Sequence, residues 1–316
     1  MSGEFDLIAR IRARAPRRAD VVLGIGDDAA VLAVPHGRQL VVCTDTLNTG
    51  VHFPEDTAAE AIGWKALAVN LSDLAAMGAV PAWCTLSLSL PRDEAGLADA
   101  LVDGLLALAA EHGVTLVGGD TTRGPLSVCV TALGHVAPGG ALRRDAARPG
   151  DSIWVSGTLG DAAAALALRS RGETMPAALR GRMDRPSPRL ALGQALVGLA
   201  HACIDVSDGL LADLGHVLDA SGVGAEIDVD ALPASAALHA AVADVDARRA
   251  LQSSGGDDYE LCFTAPAARE ALVRAAAAAA GVAVTRIGGI VAGRDSVCRT
   301  GAGEVWHPPR RGYAHF

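Results

Sequence analysis

Residues 83–117, WCTLSLSLPRDEAGLADALVDGLLALAAEHGVTLV, change periodicity twice. Trp83–Leu90 alternates apolar and small polar side chains with the period of two that marks a strand. Asp93–His112 repeats leucine, valine and alanine at helical spacing until Gly113, and Val114–Val117 returns to a short β-type run. A strand, a helix and a strand in succession call for an α/β or α+β layout. Working outward, Arg38–Thr44 and Leu126–Val136 read as further strands. Thr57–Met77 reads as a helix that Thr57 and Glu60 would open as a capping box.

The stretch Pro138-Gly-Gly-Ala-Leu-Arg-Arg-Asp-Ala-Ala-Arg-Pro-Gly150 concentrates breakers and charge between two apolar regions. We therefore expect a first domain over 1–137, a linker over 138–150 and a second domain over 151–316. The second half restarts with a strand at Ser152–Ser156, a turn at Gly157–Gly160 and a helix from Asp161 to about Arg169. The arginine-rich segment 169–189 reads as a mobile loop or short helix. Beyond it come helix Pro188–Ala200, strand Ala202–Val206, helix Gly209–Ser221, strands Ala225–Val229 and Tyr259–Thr264, helix Pro266–Ala280 and strand Val284–Ile290. Both halves alternate strands with helices, without a repeat at a fixed short period.

The 316 residues carry 27 Lys and Arg against 36 Asp and Glu, a net charge of -9. That balance disfavours a protein that grips nucleic acid through phosphate neutralisation. No apolar run reaches the roughly 20 residues of a membrane helix, and the acidic opening Met1-Ser-Gly-Glu-Phe-Asp lacks the features of a signal peptide. The six cysteines stand singly, without a CxxC pair, and read as buried small residues of a reducing compartment. The cytoplasm is the expected location.

Lys65 is the only lysine, and its neighbours Trp64 and Ala66 exclude a P-loop. Kinase catalytic loops of HRD type, GxGxxG, HExxH, GxSxG and a Cys/His nucleophile arrangement are absent from the sequence as well. What the chain does have is acid set in glycine. Gly24-Ile-Gly-Asp27-Asp28, Thr44-Asp45-Thr46, Asn70-Leu-Ser-Asp73, Gly118-Gly119-Asp120, Asp205-Val-Ser207-Asp208-Gly209 and Gly255-Gly256-Asp257-Asp258 together hold nine aspartates. Carboxylates at the carboxyl ends of strands face the crevice where open α/β sheets bind ligands. Several of them converging there would repel one another without cations, and hard oxygen donors select Mg²⁺ or Mn²⁺. The adjoining glycines let main-chain N–H groups approach phosphate. His52, in Gly-Val-His-Phe just after Asp45, is a candidate substrate contact; the remaining histidines lie in ordinary loop or helix contexts.

Gly24-Ile-Gly-Asp-Asp-Ala-Ala-Val-Leu, Thr44-Asp-Thr-Leu, Lys65-Ala-Leu-Ala-Val-Asn-Leu-Ser-Asp-Leu-Ala-Ala-Met-Gly-Ala, Gly118-Gly-Asp-Thr-Thr-Arg-Gly, Ile204-Asp-Val-Ser-Asp-Gly-Leu and Ser254-Gly-Gly-Asp-Asp-Tyr-Glu-Leu occur in this order. In order and spacing they closely resemble the bacterial thiamine-monophosphate kinases, from Glu4 to the terminal Gly312-Tyr-Ala-His-Phe. That family shares a superfamily with aminoimidazole ribonucleotide synthetase, selenophosphate synthetase and the hydrogenase maturation dehydratase, all ATP users with two α/β domains.

The resemblance implies an N-terminal domain whose mixed sheet forms a homodimer interface and a C-terminal α/β domain of the aminoimidazole ribonucleotide synthetase type. It implies direct transfer of the ATP γ-phosphoryl group to thiamine monophosphate, without a phosphoenzyme, and partners that include neither nucleic acid nor membrane. Carried over by position, Asp28, Thr44, Asp45, Asp73, Asp120, Asp205 and Asp208 are ligands of several Mg²⁺ ions. Gly119, Asp120, Arg144 and Ser207 are ATP contacts, and His52, Asp257 and Tyr313 form the thiamine phosphate pocket. No catalytic base is implied, because positioning and charge neutralisation are what phosphoryl transfer asks of a protein. Tyr313 would offer an aromatic face to the thiazolium cation. The chain departs from the family in having Asp257 where Glu is common and Cys43 where Ser is common. The alternatives are another ATP-dependent synthetase of the superfamily, or a nucleotide-binding module without catalysis.

Overall fold

The computed structural model describes residues 4–91, 95–310 and 312–313. By compactness the chain divides into two units, one running to Leu74 and resuming over Ala79–Gly139, the other comprising Ala75–Gly78 and the chain from Gly140 onward. The N-terminal unit contains α1 (Glu4–Arg14), a ribbon of β1 (Val21–Leu23) and β2 (Val31–Leu32), then β3 (Gln39–Asn48), α2 (Ala59–Ala76), β4 (Val80–Leu90), α3 (Ala95–Glu111), β5 (Thr115–Arg123) and β6 (Ser127–Val136). The expected start of α3 at Asp93 lies outside the described residues, as does the terminal Ala314-His-Phe.

Four of these strands form a mixed sheet in the order β3-β6-β4-β5. β4 and β5 run parallel, since α3 supplies the crossover that parallel neighbours need, and the other two pairs are antiparallel. Helix α2 is apolar on almost every side, and a helix without a polar face must be enclosed; Leu67, Leu71 and Leu74 have no exposed surface. It meets α3 backbone to backbone. A Cβ placed on Gly63 would lie 1.8 Å from the Leu101 carbonyl oxygen, and one on Gly104 would lie 1.9 Å from that of Glu60.

The C-terminal unit runs β7 (Asp151–Ser156), α4 (Asp161–Ser170), α5 (Ala177–Asp184), α6 (Leu190–Leu196), β8 (Ala202–Asp205), α7 (Leu210–Ser221), β9 (Gly224–Asp228), α8 (Ala236–Ala241), α9 (Val245–Ser254), β10 (Leu261–Pro266), α10 (Glu270–Ala279), β11 (Val284–Val291), β12 (Ser296–Arg299) and β13 (Val305–Trp306). Seven strands order as β13-β12-β9-β11-β7-β10-β8, antiparallel except for β12 against β9. One apolar cluster includes Ile153, Ile204, Leu214, Ile227 and Ile287. A second joins Ala165, Leu179, Met183 and Leu238 from α4, α5 and α8.

Three expectations change. β3 does not stop at Thr44 but continues to Asn48 along β6, which places Asp45 inside a strand, opposite Val130. β5 likewise carries Asp120 within the sheet, opposite Ser87. Segment 169–189, read as a mobile loop or short helix, does hold a short helix, α5, which packs Leu179 and Met183 into the second cluster. Finally, Tyr259 belongs to no strand, because its φ of 49° is incompatible with extended backbone. No helix among the described residues is long and apolar enough to cross a membrane.

The contact between α2 and α3 leaves no room for a methyl group. Gly104→Ala should therefore destabilise the protein by about 2–3 kcal/mol, the upper part of the overpacking range, read from urea unfolding. An unchanged midpoint would show that these helices can separate freely.

Candidate active site

In the N-terminal unit the acids are positioned by strand alternation. Cys43 and Asp45 are two residues apart on β3 and so share a face. Asp73 reaches the same place from α2. Burial and the charges of Asp73 and Asp45 push the Cys43 thiol far up, and burial raises the carboxyl of Asp45 itself. The thiol also donates to the Asn70 carbonyl at 3.3 Å. Thr44 lies on the opposite face, where its hydroxyl is 3.1 Å from that of Thr131 and donates to the Val130 carbonyl at 3.1 Å.

Asp120 and Gly119 are exposed on β5. Glycine at 119 is demanded by the sheet, since a Cβ there would lie 1.8 Å from the Leu86 carbonyl oxygen. Asp28 is exposed in the loop after β1, and its N–H donates to Asp27 Oδ1 at 2.9 Å.

Loop Asn48–Phe53 carries His52. Its Nδ1 accepts the Asn48 N–H at 3.0 Å, so the nitrogen left to bear the proton in the neutral ring is Nε2. Lys65 is only 2% exposed and donates to the His52 carbonyl at 3.0 Å. The one lysine of the chain thus serves the histidine loop.

In the C-terminal unit three predicted groups come together through the main chain. The N–H groups of Asp257 and Tyr259 donate to the carbonyls of Ser207 and Val206, each at 2.8 Å, and the N–H of Tyr313 donates to the Asp208 carbonyl at 2.9 Å. Ser254 adds a hydroxyl bond to the Arg310 carbonyl at 2.6 Å. Loop 205–209, loop 255–259, Arg310 and Tyr313 are therefore joined by hydrogen bonds, with Tyr313 half exposed at the rim. Arg144 is exposed and close enough to favour the thiolate of Cys203, the neighbour of Ile204-Asp205.

Sequence reasoning missed the centre of this arrangement. Asp213, on the first turn of α7, accepts the N–H groups of Ser207, Asp208 and Gly209 on its Oδ2 at 3.0, 3.1 and 3.1 Å. Burial and the charges of Asp205 and Asp208 push its carboxyl up to about 7, against the pull of those N–H bonds. An acid one turn into a helix that opens with Ser-Asp-Gly was the available signal. Glu260 was missed too, although it stands within a quoted motif. It is fully buried and takes Arg182 at 2.8 Å, Ser156 at 2.6 Å and Arg189 on both oxygens.

These carboxylates fit Mg²⁺ in a particular way. Among the described residues no three His, Cys, Asp or Glu side chains gather into a cage for an ion; Asp45 and Asp73 both lie near enough to Cys43 to raise its thiol, and Asp205 and Asp208 near enough to Asp213 to raise its carboxyl. Mg²⁺ is usually held by one or two carboxylates, with waters and substrate phosphates completing the octahedron. The raised carboxyls of Asp45 and Asp213 mark sites where negative charge is poorly solvated, which a divalent cation relieves.

Two domain families define the class of protein. Residues 26–136 match the N-terminal domain and residues 148–300 the C-terminal domain of AIR synthase related proteins. The thiamine-monophosphate kinase of Salmonella typhimurium is 48% identical over 320 residues, covering 99% of this chain and 98% of that protein. The crystal structure of thiamine-monophosphate kinase from Stenotrophomonas maltophilia K279a is 54% identical and covers 96% of this chain and 98% of its own, with a TM-score of 0.89. AaThiL complexed with AMPPCP and TMP is 33% identical, covers 99% of this chain and 97% of its own, and has a TM-score of 0.79. The chain belongs to the thiamine-monophosphate kinase family within the AIR synthase related proteins.

Asp213 gives the site a simple test. Asp213→Ala strands three N–H groups and should cost about 2 kcal/mol or more, given about 1–3 kcal/mol for each buried donor left unpaired. Asp213→Asn keeps an acceptor oxygen and should unfold near the wild-type urea midpoint. Equal stability of the alanine variant and the wild type would refute the role of this side chain as a hub.

Proposed function

We propose that the protein is a Mg²⁺-dependent kinase that transfers the γ-phosphoryl group of ATP directly to the phosphate of thiamine monophosphate, giving thiamine diphosphate and ADP. The observation that carries this reading is that a chain aligning almost end to end with thiamine-monophosphate kinases sets Asp45 and Asp73 beside Cys43, and Asp205 and Asp208 beside Asp213. When bound, Mg²⁺ supplies neutralisation of the phosphates and a template for in-line attack. The residues assigned to it are Asp28, Asp45, Asp73, Asp120, Asp205 and Asp208, with Thr44 contributing by its main chain, since its hydroxyl faces Thr131.

Gly119, Asp120, Arg144 and Ser207 are assigned to ATP. His52, Asp257 and Tyr313 are assigned to thiamine monophosphate, His52 donating from Nε2 and Tyr313 offering its ring to the thiazolium cation, an attraction of about 0.5–2 kcal/mol. The acceptor phosphate is already ionised, so the reaction needs orientation and not a base.

The protein acts as a homodimer through its N-terminal sheet. The support is β3, an edge strand of that sheet that exposes Leu40 and Val42 by 45% and 55%; an open apolar edge invites a partner. Its place is the cytoplasm, which fits six free thiols.

An ADP-release assay with Mg²⁺ and ATP should show turnover with thiamine monophosphate and none with thiamine. Turnover only with a different acceptor would reject the assignment while leaving the fold family intact. In the same assay, Asp45→Asn and Asp120→Asn should each lower kcat by about 100-fold, the scale of losing a group that stabilises transition-state charge, with an unchanged unfolding temperature. Near wild-type rates would remove these carboxylates from the metal site.

A further inference from the structure

Asp257 and Tyr259 are the two non-glycine residues with positive φ among the described residues, at 68° and 49°. They flank Asp258 in one tripeptide of the loop assigned to substrate. Such backbone is costly for residues with a Cβ and persists only where the surroundings impose it. The surroundings here are unusual. Glu260, with no exposed surface, accepts a hydrogen bond from Ser156 Oγ and is gripped by two arginines from the segment 169–189. Arg189 places Nε and Nη2 on its two oxygens as a fork. Nη2 of Arg182 is shared between Glu260 Oε1 at 2.8 Å and the Asp258 carbonyl at 3.0 Å, so this arginine holds the strained tripeptide as well as the acid after it. Asp258, also buried, turns its carboxylate onto the Gly160 N–H at 3.0 and 2.9 Å.

Asp258 in the middle of the tripeptide and Glu260 just after it are thereby tied down, while Asp257 is less deeply buried than either. Its carboxylate is only half buried and accepts the Tyr259 hydroxyl at 2.9 Å. We infer that Arg182, Arg189 and Glu260, with the Tyr259 hydroxyl, are positioning residues that hold Asp257 in the one backbone state from which it meets thiamine monophosphate. None of the four touches substrate in this account, which rests on the assignment of Asp257 to the thiamine phosphate pocket. A buried ion pair that served only stability would have no need to reach the carbonyl of Asp258, the residue between the two with positive φ. The short Asp257 side chain makes backbone placement all the more decisive, because it has few torsions with which to correct its aim.

The test is steady-state kinetics of the full-length protein, with ATP and thiamine monophosphate varied separately, alongside thermal unfolding. Lysine keeps the charge at 189 but cannot reproduce the fork. Arg189→Lys should raise KM for thiamine monophosphate about tenfold and leave KM for ATP within about twofold, and the effect should vanish in the Asp257→Ala background, as coupled residues require. Should Arg189→Lys fail to fold, Tyr259→Phe removes one hydroxyl, spares the arginines and should give the same selective rise of about threefold. Lower stability with both KM values unchanged, or equal rises for the two substrates, would reduce the cluster to a stability element and overturn the inference. If Asp257→Ala raises KM for thiamine monophosphate while Arg189→Lys and Tyr259→Phe do not, the positioning role falls and the pocket assignment stands. If Asp257→Ala leaves that KM unchanged, both fall.

Discussion

Negative charge brought close to negative charge is the constraint around which both units are built. A carboxylate removed from water must find hydrogen bonds, a cation or a proton. The protein uses different answers at different places. Glu260 has two arginines, Asp258 has a backbone N–H, and Asp213 has three N–H groups together with a carboxyl shifted to about 7. Asp205 and Asp208, which add to the effect of burial on Asp213, and Asp45 and Asp73, which press on Cys43, are the acids we propose for magnesium. The first group ties the frame together, and the second is the proposed seat of the cation.

That division clarifies the net charge of -9. It suits an enzyme with anionic substrates once the acids of the second group are counted with their metal. It also leaves the single lysine free for another task. Under the proposed function phosphate is met by arginine, metal and backbone, while Lys65 is buried beneath the His52 loop. A lysine so enclosed acts as a structural strut, and a carbonyl it bonds belongs to a residue of the proposed pocket.

Much of the architecture was legible in the sequence because it rests on local periodicity. The alternation of Trp83–Leu90 and the apolar helix over Thr57–Met77 correspond to β4 and α2 within a few residues. What escaped were features decided by distant partners. Strands β3 and β5 run on through Asp45 and Asp120 because β6 and β4 continue to pair with them, whatever the polarity of those residues. Tyr259 has the composition of a strand residue, yet its conformation is fixed by a network whose arginines are about 70 residues away along the chain. Segment 169–189 reads only as a mobile loop or short helix, since nothing local shows that a buried acid awaits its arginines. The site aspartates could be proposed as a set from the sequence because several, such as Asp27-Asp28, Asp205/Asp208 and Asp257-Asp258, stand in pairs beside glycine. Asp213 could not, because its role lies in the three amides it receives.

The account stands or falls on where the metal binds. Crystals grown with Mn²⁺ in place of Mg²⁺, together with a non-hydrolysable ATP analogue and thiamine monophosphate, would locate the ions by anomalous scattering. The expected map has Mn²⁺ bonded to oxygens of Asp45 or Asp73 and of Asp205 or Asp208, each ion also bearing a phosphate oxygen. Nucleotide phosphates bound with no Mn²⁺ on any of these four carboxylates would contradict the central claim.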